Sequence, residues 1–153
     1  MESSRANIRT IHLSIDSRLE NVALVGLAVR GIVSGTSFSE VEIHHIEVSV
    51  VEAVNNAVLH AYRSEPGHTV EVTLSLHPDR VECTVTDTGV PMEGLKKDQP
   101  DDDPADRRNL VEGGRGLAII RAAMDEVAYG SRGGRNVVKM TKYRGDRKSR
   151  AIL

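Results

Sequence analysis

The sequence predicts an α+β fold, a two-layer sandwich in which helices pack on one face of a mixed, mostly antiparallel sheet. Apolar and polar residues alternate strictly through 69–76 and 81–86, on either side of Pro78-Asp79. This pattern is typical of an antiparallel hairpin with one buried face. Between Val50 and Ala61 the apolar residues instead recur every three or four positions, which is typical of a helix lying on a sheet. The two patterns in one chain indicate the predicted class.

The composition is that of an ordinary globular domain. A length of 153 residues suits one domain, and 39% hydrophobic and 27% charged residues exclude wholesale disorder. A net charge of -2 gives no field that would attract nucleic acid or anionic lipid, and three Tyr, one Phe and no Trp leave few rings for base stacking. We expect residues 1–143 to form the domain and the basic segment 144–153 to be a disordered tail.

Three features favour a cytoplasmic protein. Cys83 is the only cysteine, so the chain has no internal disulfide, which fits a reducing compartment. The first residues lack the apolar core of a secretory signal. The longest apolar run, 22–29, is far too short to span a membrane. We therefore expect no membrane partner.

The first strand and helix are predicted within residues 8–33. The alternating residues that indicate a strand at a sheet edge are Ile11, Leu13 and Ile15. Asp16 or Ser17 can then cap a helix that runs to about Val33. The residues of this helix that are available for burial are Leu19, Val22, Ala23, Val29 and Ile32.

The central helix begins after Ser39, which has the spacing of a capping box with Glu42. Many β-branched residues between 41 and 51 favour a strand locally, but the segment is too long for one strand and its later period is helical. On such a helix Glu52 and Asn56 lie on one face, four residues apart, and His60 continues the line. The alternative is a partly exposed amphipathic helix that happens to carry these residues on its polar face.

Regular periodicity disappears between Val90 and Glu112, where prolines and the run Asp101-Asp102-Asp103 predict a long loop. We interpret about 90–113 as a lid, because structureless loops of this length are usually lids or disordered segments. A glycine cluster then opens a helix that runs to about Met124. A last hairpin joins 127–129 to 136–143.

Three polar features could together form one nucleotide site. They are Glu52 with Asn56, Asp87-Thr88-Gly89 at a strand end, and Gly113-Gly114-Arg115-Gly116 at a helix start. Backbone N–H groups at a helix start bind phosphate oxygens, a carboxylate accepts a hydrogen bond from the adenine amine, and a carboxamide oxygen suits Mg²⁺. A carboxylate one turn away can take a proton from an attacking hydroxyl. Taken singly, the second feature is most often a turn and the third a flexible helix entry.

The order of these motifs resembles the GHKL ATPases and, within them, the bacterial anti-sigma-factor serine/threonine kinases. Residues 52–57 are similar to the Glu-x-x-x-Asn-Ala N box, 87–91 to a short G1 box, and 113–117 to the G2 box at the end of the ATP lid. The resemblance covers about residues 39–143 and implies the Bergerat ATP-binding fold. The final strand offers no obvious match for the polar residue that the family carries there.

The resemblance implies a role for each matched residue. Glu52 would be the general base that activates a Ser or Thr hydroxyl, and Asn56 would coordinate Mg²⁺. Asp87 would bind the adenine amine, with Gly89 leaving room for the ring. The other implied ATP-binding residues are His60, Gly113, Gly114, Arg115, Gly116 and Leu117.

The resemblance further implies an ATP- and Mg²⁺-dependent protein serine/threonine kinase that acts in partner switching. Its substrate would be a small anti-anti-sigma protein with a STAS domain, which competes with a sigma factor for the kinase, and the kinase would be a homodimer. Two alternatives stay open: a non-catalytic nucleotide-binding protein that sequesters a partner, and a stand-alone histidine-kinase-like ATPase domain. The presence of Glu52 and Asn56 argues against the first. The lack of a helical segment bearing a phosphoacceptor histidine argues against the second.

Overall fold

The computed structural model describes residues 7–92 and 114–145, which form one five-stranded sheet and three helices. In chain order the elements are β1 (Arg9–Asp16), α1 (Leu19–Ser34), α2 (Glu40–Asn56), β2 (Thr69–Leu76), β3 (Arg80–Asp87), α3 (Gly114–Ala123), β4 (Glu126–Arg132) and β5 (Arg135–Tyr143). Most of the expected lid, 93–113, and the tail beyond residue 145 lie outside the described residues. The α+β class is confirmed.

The strand order is β1-β2-β3-β5-β4, and the four pairings among these strands are all antiparallel. The described strands therefore contain none of the parallel pairing that a mixed sheet would have. β1 lies at one edge, as predicted. Across the sheet, Leu74 faces Cys83 and Cys83 faces Met140, and all three side chains are fully buried. This row marks the face of the sheet that forms the core.

The two predicted hairpins are confirmed. β2 and β3 pair from Glu71 opposite Thr86 to Leu76 opposite Val81. β4 and β5 meet at a two-residue turn, Gly133-Gly134, whose φ angles of 61° and 76° are both in the left-handed region. This conformation suits a tight turn between antiparallel strands, and glycine adopts it without a steric penalty.

The predicted start of α1 is wrong. The N-cap residue is Arg18, with no side-chain capping bond. Ser17 Oγ instead donates to the Glu65 carbonyl at 2.6 Å, and Asp16 Oδ1 accepts from Gly67 N at 2.9 Å. Both side chains thus tie the end of β1 to the segment before β2, so neither is available to the helix.

The predicted buried face of α1 is partly wrong as well. Leu19 is 51% exposed and Ala23 is also exposed, because the helix turns a different stripe inward. Ile32 is half-buried. The residues that α1 buries are Val22, Val25, Gly26, Val29 and Val33.

α2 begins as predicted and ends in an unpredicted way. The Ser39 side chain accepts from Glu42 N, and the Glu42 side chain accepts from Ser39 N, so the capping box is complete. After Asn56 the helix widens into one π-helical turn, Ala57–Ala61, closed by a bond from Tyr62 N to the Ala57 carbonyl at 3.0 Å. Such turns insert an extra residue and often occur at functional sites.

α3 packs on α2 and is held at its C-terminal end by β5. Leu117, Ile120 and Met124 are buried, as the spacing predicts. Lys142 Nζ donates to the Ala123 carbonyl at 2.6 Å, which places a cation where the helix dipole is negative. Among the helices of the described ranges, none combines the length and apolarity that a bilayer crossing requires.

Candidate nucleotide site

Two polar side chains of the candidate site lie where β3 ends and β5 begins. Asp87 is the last residue of β3, and Asn136 is the second residue of β5 and its direct partner. Antiparallel pairing of β3 and β5 therefore brings Asp87 and Asn136, which are 49 positions apart in the sequence, side by side. The loop after Asp87 contacts the turn that follows α2, because Val90 N donates to the Ala61 carbonyl, and the last two turns of α2 carry Glu52 and Asn56.

Glu52 and Asn56 are half-buried polar residues on the last two turns of α2. Neither side chain makes a hydrogen bond or an ion pair with any residue that the structure describes. Half-buried polar groups normally find a partner in the protein or in water, since desolvating them without one is costly. The two side chains, four residues apart on one face of α2, are therefore available to water or to a ligand.

The other glutamates of α2 differ from Glu52 in this respect. Glu40 and Glu47 are both ion-paired with Arg30, at 3.0 Å and 2.9 Å. Glu42 completes the capping box and also accepts from Gly145 N at 3.2 Å. Within α2, Glu52 is thus the one glutamate whose carboxylate the described residues do not engage.

Asp87 is held through one of its two oxygens. Its Oδ1 accepts from Asn136 Nδ2 at 2.7 Å and from Gly89 N at 3.0 Å, whereas Oδ2 has no partner among the described residues. Burial raises the pKa of Asp87, and the two hydrogen bonds to Oδ1 offset part of that rise. The carboxylate is therefore fixed in orientation with one acceptor oxygen available, as recognition of an exocyclic amine would require.

Asn136 is a site residue that the sequence analysis missed. Its side chain is 3% exposed, and besides Asp87 it binds the Gly89 carbonyl at 3.0 Å and accepts from Ser131 Oγ at 2.7 Å. β5, the final strand, thus carries a polar residue that contacts Asp87. Counting back by two from the buried Met140 and Val138 reaches Asn136, so the strand alternation indicates that this side chain faces inward but not that it contacts Asp87.

The loop after Asp87 lies directly against the end of α2. Val90 N donates to the Ala61 carbonyl at 2.9 Å. A Cβ placed on Gly89 would lie 2.3 Å from that same carbonyl oxygen, so only glycine allows the approach without a backbone shift. This contact joins the Asp87 loop to the helix that carries Glu52.

The structure describes less of the other site residues that the sequence predicts. His60, in the π-helical turn, is half-buried and has no polar partner in the described part of the chain. Gly113 lies outside the described residues. Gly114, Arg115 and Gly116 form the first turn of α3, which packs on α2. Leu117 is 6% exposed and belongs to the core cluster.

The metal ion that the resemblance implies would find few protein ligands among the described residues. Among the described residues, no group of three or more His, Cys, Asp or Glu side chains could hold a metal ion. A cation here would need most of its ligands from phosphate and water, as Mg²⁺ typically does, and the Asn56 carboxamide could add one hard oxygen. The Asp87 oxygen that no described residue engages could accept a hydrogen bond from an exocyclic amine.

The chain is similar to known proteins over most of its length. A family model described as a histidine kinase-like ATPase domain matches residues 15–142. The chain is 32% identical over 140 residues to the serine-protein kinase RsbW of Bacillus subtilis, covering 90% of this chain and 87% of that protein. It is 35% identical over 136 residues to the serine-protein kinase RsbW of Bacillus velezensis, covering 87% and 84% respectively.

A solved structure supports the fold alone. The RsbU and RsbW domains of Rv1364c from Mycobacterium tuberculosis superpose on this chain with a TM-score of 0.65 at 19% identity. The match covers 90% of this chain and 33% of that longer protein, so this chain corresponds to about one third of it.

Proposed function

Because the chain belongs to the family of histidine kinase-like ATPase domains, together with the RsbW serine-protein kinases, we propose that it phosphorylates a protein partner on serine or threonine. It uses ATP as the phosphoryl donor. The observation that best supports the chemistry is the isolation of Glu52, a half-buried carboxylate without a partner in the described chain, four residues before Asn56. A general base needs such an open position.

In the proposed reaction Glu52 accepts the proton of the substrate hydroxyl. The hydroxyl oxygen then forms a bond to the γ-phosphorus while the bond from that phosphorus to the β–γ bridging oxygen breaks, and ADP leaves. Phosphoryl transfer of this kind depends mainly on positioning and charge neutralisation, which bound Mg²⁺ supplies at the phosphate oxygens. Asn56 would hold the metal, and Asp87 would hold the purine through its amine.

The other predicted residues complete the proposal. Gly89 gives the Asp87 loop its close approach to α2 and leaves room for the ring. Gly114, Arg115 and Gly116 would lie against the phosphates, and His60 would face them. Gly113 and Leu117 complete the proposed ATP-binding residues. A lid at about 90–113 would cover them, within one domain spanning 1–143.

The proposed partners follow from the family. Relatives named RsbW imply a regulator that interacts with anti-sigma partners, and we propose an anti-anti-sigma protein with a STAS domain as the substrate. A sigma factor would be the competing partner, and two copies of the chain would form the working kinase in the cytoplasm. Pull-down with the tagged chain from its source cells would identify the partner directly.

Substitution of Glu52 tests the proposal. We expect Glu52→Gln to keep ATP affinity within about twofold and to slow phosphoryl transfer by about 10²–10⁴-fold, the usual contribution of a general base. Calorimetry with ATP and transfer of labelled phosphate to the partner give the two readouts. The matched control is Glu47→Gln on the same helix, which breaks the ion pair with Arg30 and should leave transfer unchanged.

Two outcomes would contradict the assignment. Unchanged transfer in Glu52→Gln would remove the proposed base, and loss of ATP binding in that variant would mean that Glu52 serves the ligand instead. An acid-labile phosphate on the product would favour the histidine-kinase alternative. A wild-type chain that binds ATP but phosphorylates no isolated partner would favour the non-catalytic switch.

A further inference from the structure

Tyr62 follows the π-helical turn and is 5% exposed. Its hydroxyl donates to the Thr69 carbonyl at 2.6 Å, accepts from Thr88 N at 2.8 Å, and lies 3.2 Å from Thr88 Oγ1. Its ring stacks on His68 with centroids 4.5 Å apart and planes 4° from parallel. One oxygen atom therefore joins the end of α2, the start of β2 and the loop after Asp87.

The bonds to this hydroxyl fill its entire hydrogen-bonding capacity. A phenol has one proton to donate and two lone pairs to accept with. Because the proton goes to the Thr69 carbonyl, both Thr88 N–H and the Thr88 hydroxyl must act as donors toward Tyr62. The geometry of Thr88, the residue directly after Asp87, is thus fixed by two bonds to one side chain.

The backbone around Tyr62 indicates that its position is strictly determined. Arg63 and Ser64 directly follow it with φ angles of 50° and 61°, a conformation that non-glycine residues rarely adopt. Ser64 N bonds to the Val58 carbonyl at 2.8 Å, which closes the chain back onto the π-helical turn. Strained residues of this kind persist where the surrounding structure determines them fully, and they concentrate at functional sites.

We propose that Tyr62 is a positioning residue for the nucleotide site, which sets the Asp87 carboxylate at its working distance from Glu52 and Asn56. This inference rests on the proposed function, since Asp87 is taken to read the purine amine. Without the hydroxyl, Thr88 loses both bonds and the loop keeps the contact between Val90 N and the Ala61 carbonyl. Asp87 would then shift relative to α2, and recognition of adenine would weaken.

The test is Tyr62→Phe, which keeps the ring and its stacking but removes the hydroxyl. We expect the Kd for ATP to rise about tenfold, the weight of one to two net hydrogen bonds, and the preference for ATP over GTP to fall by a similar factor. The rate of phosphoryl transfer at saturating ATP should stay within about threefold, because Glu52 is not displaced. The matched control is Tyr143→Phe, whose hydroxyl donates to Glu126 at the other end of the sheet, and it should change neither value.

A second variant keeps the inference testable should Tyr62→Phe fail to fold. Thr88→Val removes one of the two donors, and we expect a smaller loss of ATP affinity and of purine preference, about threefold. If the wild-type chain binds ATP and neither variant changes the ATP-to-GTP preference, Tyr62 is a packing residue and the inference is wrong. If the wild-type chain binds no ATP, the proposed function is wrong.

Discussion

Asp87 illustrates how a single residue can be both costly to the fold and useful to the site. Its carboxylate is partly buried, which disfavours the charged form and raises its pKa. Asn136 and Gly89 donate to the same oxygen, so they fix the side chain without occupying Oδ2. The residue therefore keeps an open acceptor whose desolvation a ligand amine could compensate.

The first prediction concerns Asp87→Asn. We expect the affinity for ATP to fall by about 1–3 kcal/mol, because an amide pairs less well with the purine amine than a carboxylate does. Titration calorimetry measures the loss. The control is Asp79→Asn in the turn between β2 and β3, which removes a contact with Arg80 far from the proposed site and should leave ATP affinity unchanged.

The same variant should not lose stability. The folded-state pKa of Asp87 is raised, so the folded chain binds this proton more tightly than the unfolded chain, and the charged carboxylate lowers stability once the pH exceeds both values. We therefore expect the free energy of unfolding of Asp87→Asn at pH 7 to equal or exceed that of the wild type, and the difference to shrink toward pH 3. Urea unfolding measures it. A large loss of stability at pH 7 would show that Asp87 mainly supports the fold.

At the residue scale, the sequence was informative where the chemistry is local. The spacing of Glu52 and Asn56 follows from one helical period, and the capping box of Ser39 needs only three residues. Asn136 was missed because its role depends on pairing with Asp87, 49 positions earlier. The cap of α1 was mispredicted for a similar reason, since Ser17 bonds to Glu65 and His68, which no local rule indicates.

At the scale of elements, the contact between the end of α2 and the loop after β3 brings the two halves of the proposed site together. This contact is made by the last residue of the π-helical turn at 57–61, because the Ala61 carbonyl accepts from Val90 N. The apolar period of the sequence does not distinguish a π-helical turn from an α-helical one. The helix was predictable, whereas the geometry of its last turn was not.

Gly89→Ala tests this contact. The added Cβ would lie 2.3 Å from the Ala61 carbonyl oxygen, so the loop must move away from α2. We expect a loss of about 1–3 kcal/mol in the free energy of unfolding, the usual cost of overpacking, together with weaker ATP binding. Chemical unfolding and calorimetry provide the two measurements.

The matched control for that substitution is Gly130→Ala in β4. A Cβ at this position meets nothing within 4 Å, and alanine is favoured over glycine inside a strand, so we expect stability to stay equal or to rise slightly. Equal effects of the two substitutions would mean that the loop tolerates displacement. The proposed coupling between the loop and α2 would then be wrong.

At the scale of the whole molecule, the proposed site depends on segments that only the complete fold brings together. β3 is the central strand, and it contributes both Asp87 at the site and Cys83 in the core. The alternation that buries Val81, Cys83 and Val85 also directs Asp87 inward. The same strand therefore positions core residues and a residue of the proposed site. The fold class was predictable from such patterns, but the strand order and the register of β5 are long-range properties that the sequence patterns do not specify.

Because β3 carries both Asp87 and Cys83, we expect bound ATP to protect Cys83 from chemical modification. Cys83 is fully buried, and burial raises the pKa of its thiol to about 12, so a thiol reagent reaches it only after the chain opens. A ligand that binds only the folded chain lowers the open population, and ATP at 100 times its Kd should slow labelling by about 100-fold. The measurement is the rate of maleimide modification, followed by mass spectrometry with and without ATP, with the urea-unfolded chain as the control that ATP should leave unchanged. If calorimetry detects ATP binding but labelling does not slow, Cys83 becomes exposed by a local opening that leaves the nucleotide site intact, and β3 would not couple the core to the site.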